Sequence, residues 1–397
     1  MHSQQRNISE YLSGYKIKVL LIDDQAIVGK SVEMMLAAEK DIEFHFCQDP
    51  TKALTVASEI EPTVILQDLV MPDIEGLTLV KFFRSHPKLK DTPLIVLSSK
   101  EEALTKAEAF SKGANDYLVK LPDKIELIAR IRYHSAGYIA LLQRNEMYQA
   151  LLESKEALAN ELTRAAHYVE SLLPPPVSSG EITTEWKFVP SADLGGDSFG
   201  YHWIDKEHFA MYLLDVCDHG VGPALLSVSA LNVLRSQTLP NTDFREPDQV
   251  LKALNVTFEM EKQNNLYFTL WYGVFNKETR ELKYGSAGHP PALLYTDGTE
   301  PQQLITKNLI LGHLPNYNYK MASATVPPGS VMFIFSDGAY EIEKEPGKMY
   351  SLDELSLYLK DNLTDPALLT KLFDYLQDMD PDHNLDDDFS ILKLNFA

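Results

Sequence analysis

The sequence predicts a multi-domain protein in which an α/β half with a doubly wound parallel sheet is joined by a helical coiled-coil linker to an α+β half. Three observations support this fold class. Apolar runs alternate with amphipathic stretches before residue 135, a proline-free heptad pattern follows, and strand-like and helix-like segments are then segregated. The expected divisions are an N-terminal tail (1–16), a first domain (17–134), the linker (135–175) and a second domain (176–397). At roughly 100–200 residues per domain, the length fits this organisation.

Four apolar runs predict the strands of the first domain. They are 17–22 (IKVLLI), 63–68 (TVILQD), 93–99 (PLIVLSS) and 115–120 (NDYLVK). The helical patterns between them are 26–38, 51–59, 75–85 and 101–112. Apolar strands that alternate with such helices are typical of βαβ units on a buried parallel sheet. In these sheets the functional site lies at the carboxyl ends of the strands.

The linker has a heptad pattern rich in Ala, Leu, Glu, Gln and Lys. The a positions are Tyr138, Asn145, Leu152, Ala159, Ala166 and Leu173, and the d positions are Leu141, Tyr148, Lys155, Leu162 and Val169. This pattern predicts a coiled coil, and a polar Asn at an a position favours two strands, so we expect a homodimer. The alternative is one long helix packed on its own domains. The prolines at 174–176 end the helix.

The second domain mixes strands and helices without strict alternation, which predicts antiparallel sheets. The strand-like runs are 182–189, 199–204, 208–216, 267–276, 281–286, 291–296 and 331–336. The helical patterns are 223–237, 247–261, 352–361 and 366–377.

Charge and cysteine content exclude several classes of protein. The chain has 57 acidic and 36 basic residues, a net charge of −21, which argues against a nucleic-acid or anionic-membrane partner. The two cysteines, Cys47 and Cys217, are too few for a disulfide framework and fit a reducing cytosol. The sequence shows no run of 18 apolar residues and no signal-peptide pattern. We therefore expect a cytoplasmic protein.

Acidic residues follow two strands of the first domain. Asp23 and Asp24 come after the run 17–22, and Asp68 ends the run 63–68. Carboxylates at the ligand-binding edge of a parallel sheet predict a Mg²⁺ site. Ser98 and Lys120 end two further runs, where a hydroxyl and an ammonium group can hold the oxygens of a phosphorylated aspartate.

Residues 17–135 contain, in family order, the motifs LLIDD, VILQDLVMPDIEG, IVLSS and GANDYLVK. With these motifs, the segment resembles the receiver domain of two-component response regulators. The resemblance implies that Asp68 is the phosphoacceptor and that Asp23, Asp24 and Asp68 bind Mg²⁺ with the Val70 carbonyl. It also implies that Ser98 and Lys120 contact the phosphoryl group and that Tyr117 is the aromatic switch residue. The implied partner is a sensor histidine kinase or phosphotransfer protein.

Single aspartates also end apolar runs in the second domain. These are Asp197 in LGGDSF, Asp215 after FAMYLL, Asp337 after VMFIFS, and Asp386–Asp388 before FSILKL. A partly buried carboxylate without a partner is unfavourable. Four such positions, far apart in sequence, therefore predict convergence on a shared pair of divalent cations.

Residues 170–395 contain the motifs LLPPP, LGGDSF, DVCDHGVGPALLS, YGSAGHPPALL, FSDGAYE and DDDFSIL. With these motifs, the segment resembles the SpoIIE/RsbU-like branch of the type 2C protein phosphatases. The resemblance implies an αββα sandwich and a serine/threonine protein phosphatase with two Mn²⁺ or Mg²⁺ ions. Asp215 would bridge the ions with the Val216 carbonyl, Asp337 and Asp387 would bind one of them, and Asp197 would hold waters or ligate directly. Asp388 matches the position that follows the ligand Asp387. The implied substrate is a phosphorylated anti-sigma-factor antagonist.

Some residues depart from the family pattern. Gly200 replaces a common Asp, and Cys217 and Asp218 occupy positions where Ser and Gly are usual. His219 donates a proton, caps the next helix or contacts solvent.

Three alternatives stay open at the level of sequence. GGDSF resembles the GGDEF signature of diguanylate cyclases, but it lacks the Glu and lies only about 20 residues after the prolines. A non-enzymatic phosphorylation-dependent adaptor of the RssB kind would not need all the acids of the second domain. A DNA-binding regulator would show a basic face.

Overall fold

The structure is a computed structural model that describes residues 15–72, 74–192, 194–296, 300–345, 348–379 and 387–397. Most of the predicted N-terminal tail, residues 1–14, lies outside the described residues. The chain divides into two compact units, 1–156 and 157–397, and each is described by itself. No helix in the described ranges is long and apolar enough to cross a membrane.

The first unit contains a parallel five-stranded sheet of order β2-β1-β3-β4-β5. The elements are β1 (Ile17–Ile22), α1 (Ala26–Leu36), β2 (Ile42–Cys47), α2 (Ala53–Ile60), β3 (Val64–Asp68), α3 (Gly76–Ser85), β4 (Leu94–Ser98), α4 (Ala103–Ser111), β5 (Asp116–Val119) and α5 (Lys124–Ser171). A 3₁₀ turn at Pro50–Lys52 precedes α2. The doubly wound parallel fold is confirmed, with one more strand than the four apolar runs indicate.

The side chains of the strands alternate between two apolar layers. Val19 and Leu21 pack with α1 and the start of α5, and Leu20 and Ile22 face α2, α3 and α4. The missed strand β2 is half-exposed, and Glu43 and His45 interrupt its apolar residues. Because it lies at the sheet edge, it lacks the continuous apolar run of a central strand.

Helix α5 runs without a break for 48 residues, from the first unit into the second. The predicted boundary at 134/135 therefore falls inside one helix. Its first turns pack on the sheet through Leu127, Ile128 and Ile131, whereas residues 144–161 are exposed in the single chain.

The second unit continues with strands and helices in mixed order. They are β6 (Ile182–Val189), β7 (Ser198–Trp203), β8 (His208–Val216), α6 (Val221–Ser236), α7 (Pro247–Thr257), β9 (Phe268–Asn276), β10 (Glu281–Ala287), β11 (Ala292–Tyr295), β12 (Gln302–Leu304), β13 (Ala322–Thr325), β14 (Ser330–Phe335), β15 (Glu343–Glu345), β16 (Lys348–Met349), α8 (Leu352–Asp361), α9 (Leu368–Met379) and β17 (Phe389–Phe396). Short 3₁₀ turns lie at Met260–Lys262 and Asp337–Ala339.

Two antiparallel sheets, β13-β10-β9-β8-β7 and β12-β11-β14-β17-β6, pack face to face. Helices α6 and α7 cover the first sheet, and α8 and α9 cover the second. The αββα sandwich is therefore confirmed. The strands that sequence reasoning missed, β12, β13, β15 and β16, have two to four residues each, too few for a periodic pattern.

Candidate functional site

The carboxyl edge of the first sheet collects three carboxylates. Asp23, Asp24 and Asp68 each offer an oxygen within 4.8 Å of the others. Asp23 and Asp68 are almost completely buried. Burial is the main reason why the pKa of Asp23 is raised. An all-oxygen group of this size suits a hard cation such as Mg²⁺.

Lys120 links two of these acids. Its Nζ lies 2.7 Å from Asp23 Oδ2 and 2.7 Å from Asp68 Oδ2. Burial lowers the pKa of Lys120, but its bonds to the two carboxylates outweigh burial, and the net pKa is raised. The peptide bond between Lys120 and Leu121 is cis.

Ser98 and Tyr117 are connected through Lys100. Ser98 is fully buried, and its Oγ accepts the Lys100 N–H at 3.2 Å. The buried Tyr117 hydroxyl donates to the Lys100 carbonyl at 2.7 Å. Both side chains therefore contact the loop that follows β4. Val70 is exposed, and its N–H donates to Asp68 Oδ1 at 3.2 Å.

Strand pairing gathers the aspartates of the second unit at one end of the sandwich. Ser198 pairs with Leu214, which places Asp197 and Asp215 at the same end of β7 and β8. In the other sheet Phe335 pairs with Ile391, so Asp337, after β14, and Asp387, before β17, share an end. The four positions singled out from sequence are thus brought together in two pairs.

Asp388 connects the two sheets. Its Oδ2 accepts the Gly196 N–H at 2.6 Å and the Asp197 N–H at 3.3 Å. Its Oδ1 accepts hydrogen bonds from the Ser191 N–H at 2.8 Å and from the Ser191 hydroxyl at 3.0 Å. Because four donors use both oxygens, Asp388 is built to hold the loop that precedes β7. Sequence reasoning missed Ser191, which has no motif signal.

Gly196 allows a close backbone approach. A Cβ there would lie 2.5 Å from the Val216 carbonyl oxygen, so only glycine fits between the two loops. A Cβ on Gly195 would similarly meet the Asp388 carboxylate at 2.4 Å. The two glycines therefore place Asp197 directly beside the end of β8.

The neighbouring carboxylates of this site destabilise each other's charged forms. Among the residues that the structure describes, neither oxygen of the buried Asp197 has a hydrogen-bond partner, and the buried Asp337 Oδ1 also has none. Burial, with the charges of Asp337 and Asp387, raises the pKa of Asp215 to about 7. Burial is also the largest cause of the raised pKa values of Asp197, Asp337 and Asp387. Divalent cations would relieve this repulsion, so the residues fit a metal centre.

The aspartates of this centre are less closely grouped than the three aspartates of the first unit. Within the described ranges, no three of these aspartates have ligand atoms that all lie within 4.8 Å of one another.

The loop between β8 and α6 is exposed at Asp218 and His219. Asp218 has a positive φ of 72°, and its Oδ1 accepts the His219 N–H at 2.8 Å. Helix α6 begins after Gly220, and no side chain in the described part of the chain caps it. The alternative in which His219 caps α6 is therefore wrong.

An aromatic ring occupies the space beside Gly200, one of the residues that depart from the family pattern. Gly200 pairs with Tyr212, and a Cβ at position 200 would lie 2.6 Å from the Tyr212 ring. Tyr212 is completely buried among residues that pack against α6 and α7. A carboxylate at position 200 would therefore displace this ring.

Comparisons with known proteins agree with both units. Residues 19–132 match the family model of the response regulator receiver domain, and residues 205–397 match that of stage II sporulation protein E (SpoIIE). Phosphoserine phosphatase RsbU of Bacillus subtilis is 29% identical over 62% of this chain and 73% of its own. Transcriptional regulatory protein SrrA of Staphylococcus aureus is 29% identical over 38% of this chain and 57% of its own.

A solved structure supports the fold of the second unit. The SiaA-PP2C domain of Pseudomonas aeruginosa is similar with a TM-score of 0.53 at 19% identity, over 62% of this chain and 99% of that domain.

Proposed function

We propose that the chain is a response regulator with a SpoIIE-type protein serine/threonine phosphatase domain, and that phosphorylation of Asp68 controls this phosphatase. Its proposed substrate is a phosphoserine or phosphothreonine of an anti-sigma-factor antagonist. The observation that carries the proposal is the convergence of Asp197, Asp215, Asp337 and Asp387. Two of these acids, Asp197 and Asp337, have buried oxygens with no partner among the described residues.

Domains of this type depend on metal ions, and the proposed ligands of the catalytic pair are Asp215 with the Val216 carbonyl, Asp337, Asp387 and Asp197. The oxygen-only donor set favours Mn²⁺ or Mg²⁺. When bound, the ions supply an activated water and neutralise charge on the phosphoryl oxygens. The role of Asp388 is to hold the loop before Asp197 in place through the Gly196 N–H.

In the first unit, Asp23, Asp24, Asp68 and the Val70 carbonyl would hold Mg²⁺. A phosphoryl group on Asp68 would then accept hydrogen bonds from Lys120 and Ser98. Because Lys120 now contacts Asp68 at 2.7 Å, and Tyr117 and Ser98 both contact Lys100, these bonds would move the loop after β4. This is the proposed start of the signal.

We propose that helix α5 transmits the signal from Asp68 to the phosphatase site and also forms the dimer contact. Its exposed segment contains Tyr148, a predicted d position, and Leu152, a predicted a position, which a second copy would cover. Within the second unit, Ala166 and Val169 line a cavity of about 210 Å³ together with Leu194 and Gly195. The end of α5 therefore adjoins the loop that carries Asp197.

The decisive experiment is Mn²⁺-dependent phosphate release from a phosphorylated antagonist. We expect activity in the wild type and its loss in Asp215→Ala, with the exposed Lys40→Ala as the matched control. A wild type that binds the antagonist without releasing phosphate would contradict the proposal and leave the adaptor alternative.

A further inference from the structure

The first unit contains a cavity that neither aspartate site uses. Its volume is about 660 Å³, within the range of roughly 300–1,000 Å³ that is typical of small-molecule sites. It lies at the amino-terminal ends of the strands, opposite Asp68, where Lys18 is the second residue of β1 and Thr63 directly precedes β3. Successive turns of α5 close one side through Tyr138, Leu142 and Glu146.

Hydrogen bonds hold the walls of the cavity in place. The buried Thr63 hydroxyl donates to Ser135 Oγ on α5 at 3.0 Å, and the Thr92 hydroxyl donates to the Tyr138 hydroxyl at 3.2 Å. The Tyr15 hydroxyl donates to the Glu146 carboxylate and so ties the segment before β1 to α5. The wall is therefore formed by both the edge of the sheet and the first exposed turns of the linker.

Only some of the charged side chains that line the cavity have partners in the described ranges. Three lysines, Lys16, Lys18 and Lys88, line it together with Glu61 and Glu146. Lys18 Nζ donates to the Ile60 carbonyl at 3.0 Å. Across the described ranges, neither Lys16 nor Lys88 forms an ion pair or a side-chain hydrogen bond, although the chain carries a net charge of −21. The Glu61 side chain likewise has no such partner in the described ranges, so two ammonium groups and one carboxylate are available to a ligand, with a net charge of +1.

The cavity lining also has an apolar part. Pro62 and Leu89 are buried, and Leu142 and the Tyr138 ring are half-buried beside them. Such a surface can cover the uncharged part of an organic molecule while the amines contact its anionic group. An ion without an organic part would leave this surface uncovered.

We propose that this cavity binds a small phosphorylated organic molecule. Lys16 and Lys88 contact its phosphate, because a compact oxyanion accepts charge-assisted hydrogen bonds from ammonium groups. Leu89, Leu142 and the Tyr138 ring cover its organic part. Since the ligand touches three turns of α5, its binding would hold the start of the linker against the first unit, as an input separate from Asp68.

The test is isothermal titration calorimetry on the full chain in EDTA, so that divalent cations cannot carry phosphate to the aspartate sites. The probes are AMP, glucose 6-phosphate and phenyl phosphate. We expect saturable binding of at least one probe at one molecule per chain. Loss of both lysine contacts, in Lys16→Ala/Lys88→Ala, should weaken binding about tenfold or more. The exposed pair Lys40→Ala/Lys81→Ala, outside the lining, is the matched control and should bind like the wild type.

A second variant removes the space instead of the charge. Leu142→Trp should fill the cavity and abolish binding, while an unchanged melting temperature shows that the unit is folded. Failure of all three probes to saturate at millimolar concentration would overturn the proposal. Equal binding by the wild type and Lys16→Ala/Lys88→Ala would overturn it as well.

Discussion

Asp388 and Asp387 are adjacent, but the structure gives them different contacts. Asp388 accepts four donors, whereas exposed Asp387 accepts the N–H of its neighbour at 2.7 Å. Asp388→Ala should lower the free energy of unfolding by about 3 kcal/mol, because buried donors lose their acceptor. Asp387→Ala, the control, should weaken Mn²⁺-dependent activity and leave stability nearly unchanged. Urea unfolding and phosphate release measure the two effects, and equal stability of both variants would contradict this assignment.

Titration of Asp215 predicts how stability depends on pH in the absence of divalent cations. Its folded-state pKa of about 7 exceeds the ordinary value of 3.8, so the folded protein binds this proton more tightly than the unfolded chain. The stabilisation is therefore complete below about pH 4 and is lost as the pH rises through 7. In EDTA, the urea midpoint of the wild type should fall across this interval relative to that of Asp215→Asn. Parallel curves for the two proteins would show that Asp215 is not the group responsible.

The contact between Gly200 and Tyr212 predicts what restoring the usual family residue would do. Gly200→Asp should destabilise the second unit by about 1–3 kcal/mol, because the added atoms overlap the buried ring. Tyr212→Leu should relieve part of this cost in the double variant, although it leaves a small cavity of its own. Thermal unfolding of the four proteins in this cycle measures the coupling. Purely additive effects would mean that the ring is not the obstacle.

At the scale of elements, helix α5 has an exposed middle that its own units leave uncovered. If a second copy covers the predicted seam, Tyr148→Lys/Leu152→Lys should convert dimers to monomers through charge repulsion at d and a positions. Ala150→Lys/Ala157→Lys changes f positions of the same heptads and should stay dimeric. Sedimentation equilibrium distinguishes the two results, and a monomeric wild type would remove the dimer proposal.

Element prediction succeeded where a pattern repeats over several residues. The central strands β1, β3 and β4 have continuous apolar runs, and each lies within a residue or two of its predicted position. Strand β2 was missed because its exposed edge alternates polar and apolar residues, and β16 because it has two residues. The site aspartates could be singled out because each lies at one end of an apolar run, whereas Ser191 could not, since its contact to Asp388 spans 197 positions.

At the scale of the whole molecule, the proposal couples Asp68 to the phosphatase site. Beryllofluoride with Mg²⁺ mimics an aspartyl phosphate, so it should change the rate of phosphate release in the wild type. Asp68→Asn should keep the basal rate and lose the response, because it removes the acceptor and leaves the second unit intact. Steady-state kinetics measures both rates. An identical response in both proteins would place the control elsewhere.

The sequence by itself determined the order of the domains, the type of each sheet and the acids at the strand ends, because these depend on local periodicity and on residue type. Only the tertiary structure decided that Asp388 holds a loop, that a Tyr ring fills the space beside Gly200, and that a cavity lies beneath α5. Each of these depends on which atoms meet across distant segments, and the spacing of residues along a chain does not specify such contacts.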